Sequence, residues 1–164
     1  MQAINSQIEE VISRGEGRYL SATELQPIKQ YVQTFTARAK TYQILQEKSE
    51  VLVRHALKKF MVQHPDIMQK HGKRCHYDMT MLLRYVGIAI LRNDPKFLND
   101  ALVLWQANIL AAYQKQKACH VAYRYLQEAL KEHLPSQAEQ MIEPYIEMMM
   151  QALDLPPKLM AGVQ

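Results

Sequence analysis

The sequence predicts an all-helical protein with a single domain, and three observations support that prediction. The chain has 164 residues, which suits one domain with a substantial hydrophobic core. It contains only five glycines, whereas residues that favour helices, such as alanine, leucine, glutamine, lysine and methionine, are abundant. No run of residues alternates between apolar and polar side chains as a strand does between turns, and no repeat of fixed period appears. We therefore expect helices that pack on helices.

Apolar residues at helical spacing predict three helices in the first part of the chain. The first helix is short and ends at Gly15 and Gly17. The second opens at Ser21-Ala22-Thr23-Glu24, a capping box in which the hydroxyl and the carboxylate each accept a hydrogen bond from a backbone N–H. The third runs from Ile44 to Phe60 and stops at His64-Pro65, because proline disfavours helix at the preceding residue. The residues expected on the buried sides are Ile4, Ile8, Val11 and Ile12 in the first, Leu25, Ile28, Val32 and Phe35 in the second, and Ile44, Leu45, Leu52, Ala56 and Phe60 in the third.

A strongly amphipathic helix is predicted in the middle of the chain. It begins near Cys75 and ends before Asn93-Asp94-Pro95. The segment before it, from Asp66 to Gly72, is polar and is predicted to be a loop. Cys75 is therefore expected in the first turn of this helix. The residues expected on its buried side are Met79, Leu82, Leu83, Val86 and Ile90.

Three further helices are predicted after this one. The first two run from Leu98 to Tyr113 and from Ala118 to Leu130. The last opens at a second capping box, Ser136-Gln137-Ala138-Glu139, and Pro144 implies either a kink in it or a later start. Leu155-Pro156-Pro157 closes it. The expected buried residues are Leu102, Trp105, Ile109 and Ala112, then Ala118, Ala122, Leu126 and Ala129, and finally Ile142, Tyr145, Ile146, Met149 and Leu153. Periodicity alone leaves both a globin-like packing and an irregular bundle open.

Charge and apolar patterns exclude several classes of partner. The net charge is +4 with a pI near 9.0, but basic residues are scattered among acids and no nucleic-acid-binding motif accompanies them, so we expect no nucleic-acid partner. No stretch approaches the ~18 apolar residues of a membrane span, and the amino terminus lacks an export signal. We therefore expect a cytoplasmic protein without an integral membrane segment, in which Cys75 and Cys119 are reduced thiols.

The sequence also lacks the motifs of an enzyme or a metal site. It contains no Ser-His-Asp order, paired-carboxylate motif or glycine-rich phosphate loop, so we expect no catalytic activity. His71, Cys75 and His76 are possible metal ligands, but no second cluster accompanies them and Gly72 loosens the segment, so we expect no metal. The helix from Leu98 to Tyr113 offers no histidine to a haem iron. We therefore expect no haem bound through that helix.

Three segments carry a resemblance to a known family. They are Gly17 to Leu25, then Ala39 to Leu45 followed by Pro65-Asp66, and finally Cys75-His76-Tyr77-Asp78 with Leu82-Leu83-Arg84. In order and spacing they resemble the phycobiliproteins, the light-harvesting phycobilisome subunits of the globin superfamily. The resemblance implies a globin-like fold in a single domain of residues 1–164. Within it, residues 1–35 would be an amino-terminal helical hairpin that makes oligomer contacts, residues 36–155 the globin core, and residues 156–164 a tail.

The resemblance also implies a linear tetrapyrrole such as phycocyanobilin as cofactor, attached to Cys75 by a thioether. Asp78 would hold the central pyrrole rings and Arg74 would pair with a propionate, with Arg84 one to two turns later. From the residues themselves, Lys73 and Arg74 and the helix amino terminus should lower the pKa of Cys75 and so favour the reactive thiolate. Asp78 lies three residues on, hence on the same helical face. Lys73 offers a further cation for a propionate.

Several departures from the family pattern indicate a divergent member. Tyr77 stands where an arginine usually precedes the aspartate, which removes one propionate partner and offers a ring for stacking. The loop before Cys75 is shorter than usual, so an altered pocket is expected. Arg14 stands where the family has an aspartate that pairs across the subunit interface with the residue matched by Arg84. In a self-paired interface these two arginines would repel each other unless Glu10 or Glu16 intervenes.

Three functions therefore stay open. The protein is a bilin-binding relative of light-harvesting subunits, or a globin associated with bilin biosynthesis or transfer that binds tetrapyrrole reversibly, or an oligomeric interaction protein without a cofactor. A homodimer or higher oligomer, or a phycobiliprotein-like partner subunit, is expected in each case, since exposed apolar amino-terminal helices need a partner. By resemblance, the protein would lie in the cytoplasm, at the cytoplasmic face of photosynthetic membranes.

Overall fold

A computed structural model describes residues 4–155 and confirms the all-helical fold. No strand occurs within these residues. The predicted tail, residues 156–164, lies outside the described residues. The elements are α1 (Ser6–Arg14), α2 (Gln26–Gln63), α3 (Pro65–Arg92), α4 (Pro95–Leu98), a π-helical turn (Asn99–Val103), α5 (Leu104–Ala112), α6 (Gln116–His133) and α7 (Ser136–Asp154).

The two helices predicted between residues 21 and 60 are one continuous helix, α2. No glycine or proline interrupts the chain between Phe35 and Ile44, so nothing ends the helix there. The capping box before it does form, because the Ser21 N–H donates to Glu24 (2.8 Å) and the Glu24 N–H donates to the Ser21 hydroxyl (3.3 Å). Regular helix nevertheless begins only at Gln26, so the box closes a turn that precedes α2.

Two of the four residues predicted on the buried side of the second helix are instead exposed. Val32 is 65% exposed and Phe35 is 47% exposed. The residue that faces the interior is instead Arg38, which is buried and donates to the carbonyl oxygens of Ile90 (3.3 Å) and Leu91 at the end of α3. The early part of α2 therefore contacts its own chain through a polar anchor and presents its apolar side to solvent.

The predicted loop from Asp66 to Gly72 is also wrong, because α3 begins at Pro65 and runs unbroken to Arg92. Proline is well placed in the first turn of a helix, since its missing N–H would have no partner there. Cys75 consequently lies ten residues after Pro65, in the middle of a helix and not in its first turn. The predicted end of the helix is confirmed, with Asn93 in the left-handed conformation (φ 49°) as the cap.

The carboxyl-terminal helices follow the predictions more closely. The five residues predicted on the inner side of the last helix are all buried. Its predicted capping box does not form, because the Ser136 side chain makes no capping hydrogen bond and Pro135 occupies the cap position. Pro144 lies inside α7, so the later start is excluded. In α5, Trp105 is 56% exposed and Ala112 is exposed, contrary to the predicted buried face.

The core lies between α2, α3, α6 and α7, which supply most of its largest fully buried side chains, such as Phe60, Leu82, Leu126 and Ile146.

A π-helical turn separates α4 from α5. Such turns are often found near functional sites, and residues of α5 line the cavity described below. Among the described helices, none is long and apolar enough to cross a membrane.

A buried polar junction fixes α1 to the end of α3. The Asn5 side-chain amide donates to the carbonyl oxygens of Arg92 (2.9 Å) and Asn93 (2.6 Å). Asp94 accepts from the Ser6 N–H (3.0 Å) and hydroxyl (2.7 Å), and its other oxygen accepts from the Phe97 N–H (3.2 Å) to cap α4. Contrary to the prediction of a buried apolar side for the first helix, no residue of α1 is buried, so these hydrogen bonds hold it to the end of α3.

Candidate ligand-binding site

A cavity of about 600 Å³ lies between α3, α5 and α6. On α3 its wall includes Ile67, His71, Cys75 and Asp78, which recur at helical spacing and so share one face of the helix. The opposite wall comes from α5, α6 and the turn that joins them. A smaller hollow of about 210 Å³ beside His120 contains none of the predicted site residues. The larger cavity is therefore the candidate site.

Cys75 is half-buried in this wall, and its chemistry differs from the prediction. Burial raises the pKa of the Cys75 thiol, and the nearby carboxylate of Asp78 raises it further. The predicted lowering of this pKa is therefore wrong. The helix amino terminus is too far away to act, since its effect fades within the first turn, and Arg74 directs its charge at Asp78. The resting protein accordingly carries a protonated, weakly nucleophilic thiol at neutral pH.

Asp78 is the second predicted residue on the cavity wall. One nitrogen of Arg74, Nε, lies 2.9 Å from Oδ1 and 3.0 Å from Oδ2 of this carboxylate. Burial raises the pKa of Asp78, and the hydrogen bond and charge of Arg74 only partly offset that effect. A carboxylate accepts up to four hydrogen bonds. Asp78 thus keeps unused acceptor positions beside the cavity, as far as the described residues show.

Three of the other four predicted site residues lie apart from the cavity wall. Arg74 does line it, but Lys73, Tyr77 and Arg84 do not. Lys73 is exposed on the outer side of α3. The Tyr77 ring is 55% exposed and its centroid lies 5.6 Å from the Arg74 guanidinium carbon. Arg84 points its Nη1 at the sulfur of Met81, 3.9 Å away. The structure therefore brings together three of the six predicted residues.

Sequence reasoning assigned no role in the site to the polar groups of the opposite wall, which include Cys119, Lys115 and Gln106. Cys119 faces the same cavity, and burial raises its pKa to about 12, with the charges of Cys75 and Asp78 adding to that effect. Its position between the predicted inner residues Ala118 and Ala122 was the available signal. Lys115 supplies a second cation to the wall, and nothing in the sequence distinguishes it from other surface lysines.

Gln106 is a buried polar side chain in this wall whose hydrogen bonds are incomplete. It is only 5% exposed, and its side-chain N–H donates to the Tyr123 hydroxyl at 2.7 Å. Its side-chain oxygen is buried and has no hydrogen-bond partner among the described residues. Burial raises the pKa of Tyr123 well above its usual value, so this hydroxyl stays neutral. A buried acceptor without a donor costs about 1–3 kcal/mol, which marks this wall as incompletely satisfied.

These features define a helical protein with a largely apolar internal cavity, in which a thiol and a carboxylate lie one helical turn apart. A family model described as phycobilisome protein matches residues 13–153. The chain therefore belongs to the phycobilisome protein family, which confirms the resemblance. Phycobiliproteins are pigment proteins and not enzymes. A comparison with curated proteins gave no match.

Proposed function

We propose that the protein binds a linear tetrapyrrole such as phycocyanobilin in the cavity between α3, α5 and α6. The observation that carries this proposal is that Cys75 and Asp78 line the same cavity, one helical turn apart. A volume of about 600 Å³ lies within the range of about 300–1,000 Å³ that is typical of pockets for small molecules.

The chemistry of the wall suits a bilin. Apolar side chains such as Ile67, Ile109 and Leu110 would cover the pigment's rings. The open acceptor positions of Asp78 would receive the pyrrole N–H groups, and the oxygen of Gln106 offers a further acceptor from the opposite wall. Only Nε of Arg74 contacts Asp78, so its Nη groups would meet a propionate, as would Lys115. Trp105 and Tyr113 are more than half exposed, so the pigment would remain partly open to solvent.

Two modes of binding follow from the state of Cys75. In the first, the thiol adds across the ethylidene double bond of the bilin, its sulfur bonds to carbon and its hydrogen ends on the neighbouring carbon, with no oxidant or leaving group. In the second, the bilin stays reversibly bound, as in a protein of bilin transfer or biosynthesis. The raised pKa of Cys75 favours this second mode in the absence of a base or an attachment enzyme.

Incubation of the purified chain with phycocyanobilin tests the proposal. Covalent attachment gives a coloured, zinc-fluorescent band on a denaturing gel that is lost in Cys75→Ala and kept in the matched control Cys119→Ala. Since only the thiolate adds, the rate of attachment should increase as the pH is raised from 7 towards 9. Reversible binding gives a shifted absorption spectrum that survives Cys75→Ala and weakens in Asp78→Asn. If neither a covalent band nor a shift of the pigment's absorption spectrum appears, bilin binding is refuted and the interaction protein without a cofactor is supported.

We also propose that α1 and the start of α2 contact a second subunit. Proteins of this family generally assemble into oligomers. Ile12, Val32 and Phe35 expose apolar surface here, with 54%, 65% and 47% of each residue accessible. Arg14 pairs with Glu10, which weakens the repulsion that a self-paired interface would set up between Arg14 and Arg84.

Size-exclusion chromatography tests this interface. Phe35→Asp should reduce the apparent mass to that of a monomer, because a charge would be buried in the contact. Val62→Asp is the matched control, since Val62 is 81% exposed at the other end of α2 and should leave the mass unchanged. An equal effect of the two variants, or a monomeric unmutated chain, would contradict the proposal.

A further inference from the structure

A second cluster of reactive side chains lies outside the cavity, where the end of α6 meets α2. His55 belongs to α2, and Glu132 and His133 are the last two residues of α6. Nε2 of His133 lies 3.0 Å from Nδ1 of His55, and Oε2 of Glu132 lies 3.2 Å from Nε2 of His55. One ligand atom from each of the three residues lies within 4.8 Å of the other two.

The contacts within this cluster are incomplete without a further group. Nε2 of His55 is buried and forms no hydrogen bond of good geometry among the described residues, although Glu132 is near it. The two imidazole rings meet edge to face with centroids 4.8 Å apart. Two ring nitrogens at 3.0 Å must share one proton, since two lone pairs would repel each other. A bound cation could take the place of that proton.

The donor set and its spacing suit a borderline divalent ion. Two histidines and one glutamate form an established ligand set for zinc, with water in the remaining position. Ligand atoms about 2.05 Å from a tetrahedral ion lie about 3.3 Å from each other. The observed separations of 3.0 and 3.2 Å are close to that value. They involve different nitrogens of His55, so a turn of this ring is needed to bring one nitrogen to both partners.

We propose that His55, Glu132 and His133 bind a divalent ion of the zinc type, which joins α2 to α6. Residues 55 and 133 are far apart in sequence, which is why no spacing motif indicates the site. Lys59 opposes the ion, because its Nζ lies 3.0 Å from Oε1 of Glu132. Lys59 also contacts Glu128 at 3.1 Å, so the ammonium group has a second carboxylate to hold it when the ion enters.

Zinc titration by calorimetry tests the site in a Cys75→Ser/Cys119→Ser background, which removes the competing thiols. We expect one zinc per chain and an increase in melting temperature on zinc addition. His55→Gln, His133→Gln and Glu132→Gln should each weaken binding at least tenfold. His120→Gln is the matched control and should leave binding unchanged, since His120 pairs with Asp154 elsewhere.

Two further measurements do not depend on the folding of the ligand variants. Long-range ¹H–¹⁵N spectra are recorded on the chain that carries only the Cys75→Ser and Cys119→Ser substitutions. Zinc should shift the ring signals of His55 and His133 and of no other histidine. Lys59→Met should bind zinc several-fold more tightly, because a competing cation is removed. Absence of stoichiometric binding, shifts at other histidines, or weaker binding by Lys59→Met would overturn the proposal.

Discussion

Asp94 and Asp78 are both aspartates removed from solvent, yet their surroundings differ in kind. Burial alone would raise the pKa of Asp94, but the donors from Ser6 and Phe97, with the charge of Arg92, bring it below its usual range. Asp78 has one guanidinium nitrogen as its donor, and burial leaves its pKa above the usual range. The first carboxylate accepts three hydrogen bonds that join parts of the fold, and the second, among the described residues, accepts only from one nitrogen of Arg74.

The same contrast extends to the neighbours of each aspartate. At the Asp94 junction, the Asn5 side chain hydrogen-bonds a backbone carbonyl and a backbone N–H, and Ser6 donates to the carboxylate. In the cavity wall, the oxygen of Gln106 has no partner in the part of the chain that the structure describes, and two thiols are held protonated by burial. Because fully bonded polar groups stabilise a fold and unsatisfied ones cost stability, the junction is a structural element and the cavity wall is suited to a ligand.

The largest expected effect is the loss of stability in Asp94→Ala. This substitution removes the cap of α4 and leaves the partly buried N–H groups of Ser6 and Phe97 without an acceptor. We expect a decrease of about 2–4 kcal/mol in the free energy of unfolding, measured by denaturant titration. Asp100→Ala is the control, since Asp100 is exposed and its partners Lys96 and Asn99 are surface contacts, and it should change stability little. A similar small effect of both would show that the junction is not structural.

Much of the fold was predictable from the sequence, because the helical periodicity of the buried residues in α3 and α7 reflects how they pack. The errors have physical causes. Lysine, histidine and glutamine between Asp66 and Gly72 suggested a loop, but lysine and glutamine are good helix formers. That error carried over to the site, since a thiol in the first turn would be acidified and one in mid-helix is not.

The cavity was predictable only on one side. Cys75 and Asp78 share a helix, so their spacing alone places them on one face. Gln106, Lys115 and Cys119 reach the cavity from α5, α6 and the turn between them, and their distance from α3 depends on tertiary packing that no local pattern encodes. Val32 and Phe35 were misassigned for a similar reason, because an apolar stripe has the same periodicity whether or not it faces the core of its own chain.

A double-mutant cycle at Gln106 and Tyr123 should give an intermediate effect. Gln106→Leu leaves the buried Tyr123 hydroxyl without its donor, and Tyr123→Phe leaves a second polar atom of Gln106 unsatisfied. Each single change should cost about 1–3 kcal/mol in unfolding free energy. The double variant should cost less than the two single changes added together, because both polar partners are removed at once. Strict additivity would show that the two side chains are not coupled.

The smallest expected effect, and the most direct test of the contrast, is the pH dependence of Asp78→Asn. In the folded chain the pKa of Asp78 is raised, so its ionisation at neutral pH opposes folding, and this penalty is absent at a pH below about 3.9, where the carboxyl is protonated in both states. Asp78→Asn should therefore be more stable than the unmutated chain at pH 7, by less than about 1 kcal/mol because Arg74 also loses its partner. That advantage should disappear as the pH falls.

Asp94→Asn should show the opposite sign. Because the folded pKa of Asp94 is lowered, its contribution to stability is present above about pH 3.9 and is lost as the pH falls through the folded value. The variant should thus be less stable at pH 7 and approach the unmutated chain in acid. Carboxyl ¹³C titration of the protein without pigment should place the midpoint of Asp78 above that of Asp94. The reverse order would mean that Arg74 satisfies Asp78 as fully as Ser6 and Phe97 satisfy Asp94, and the cavity would lose its open carboxylate.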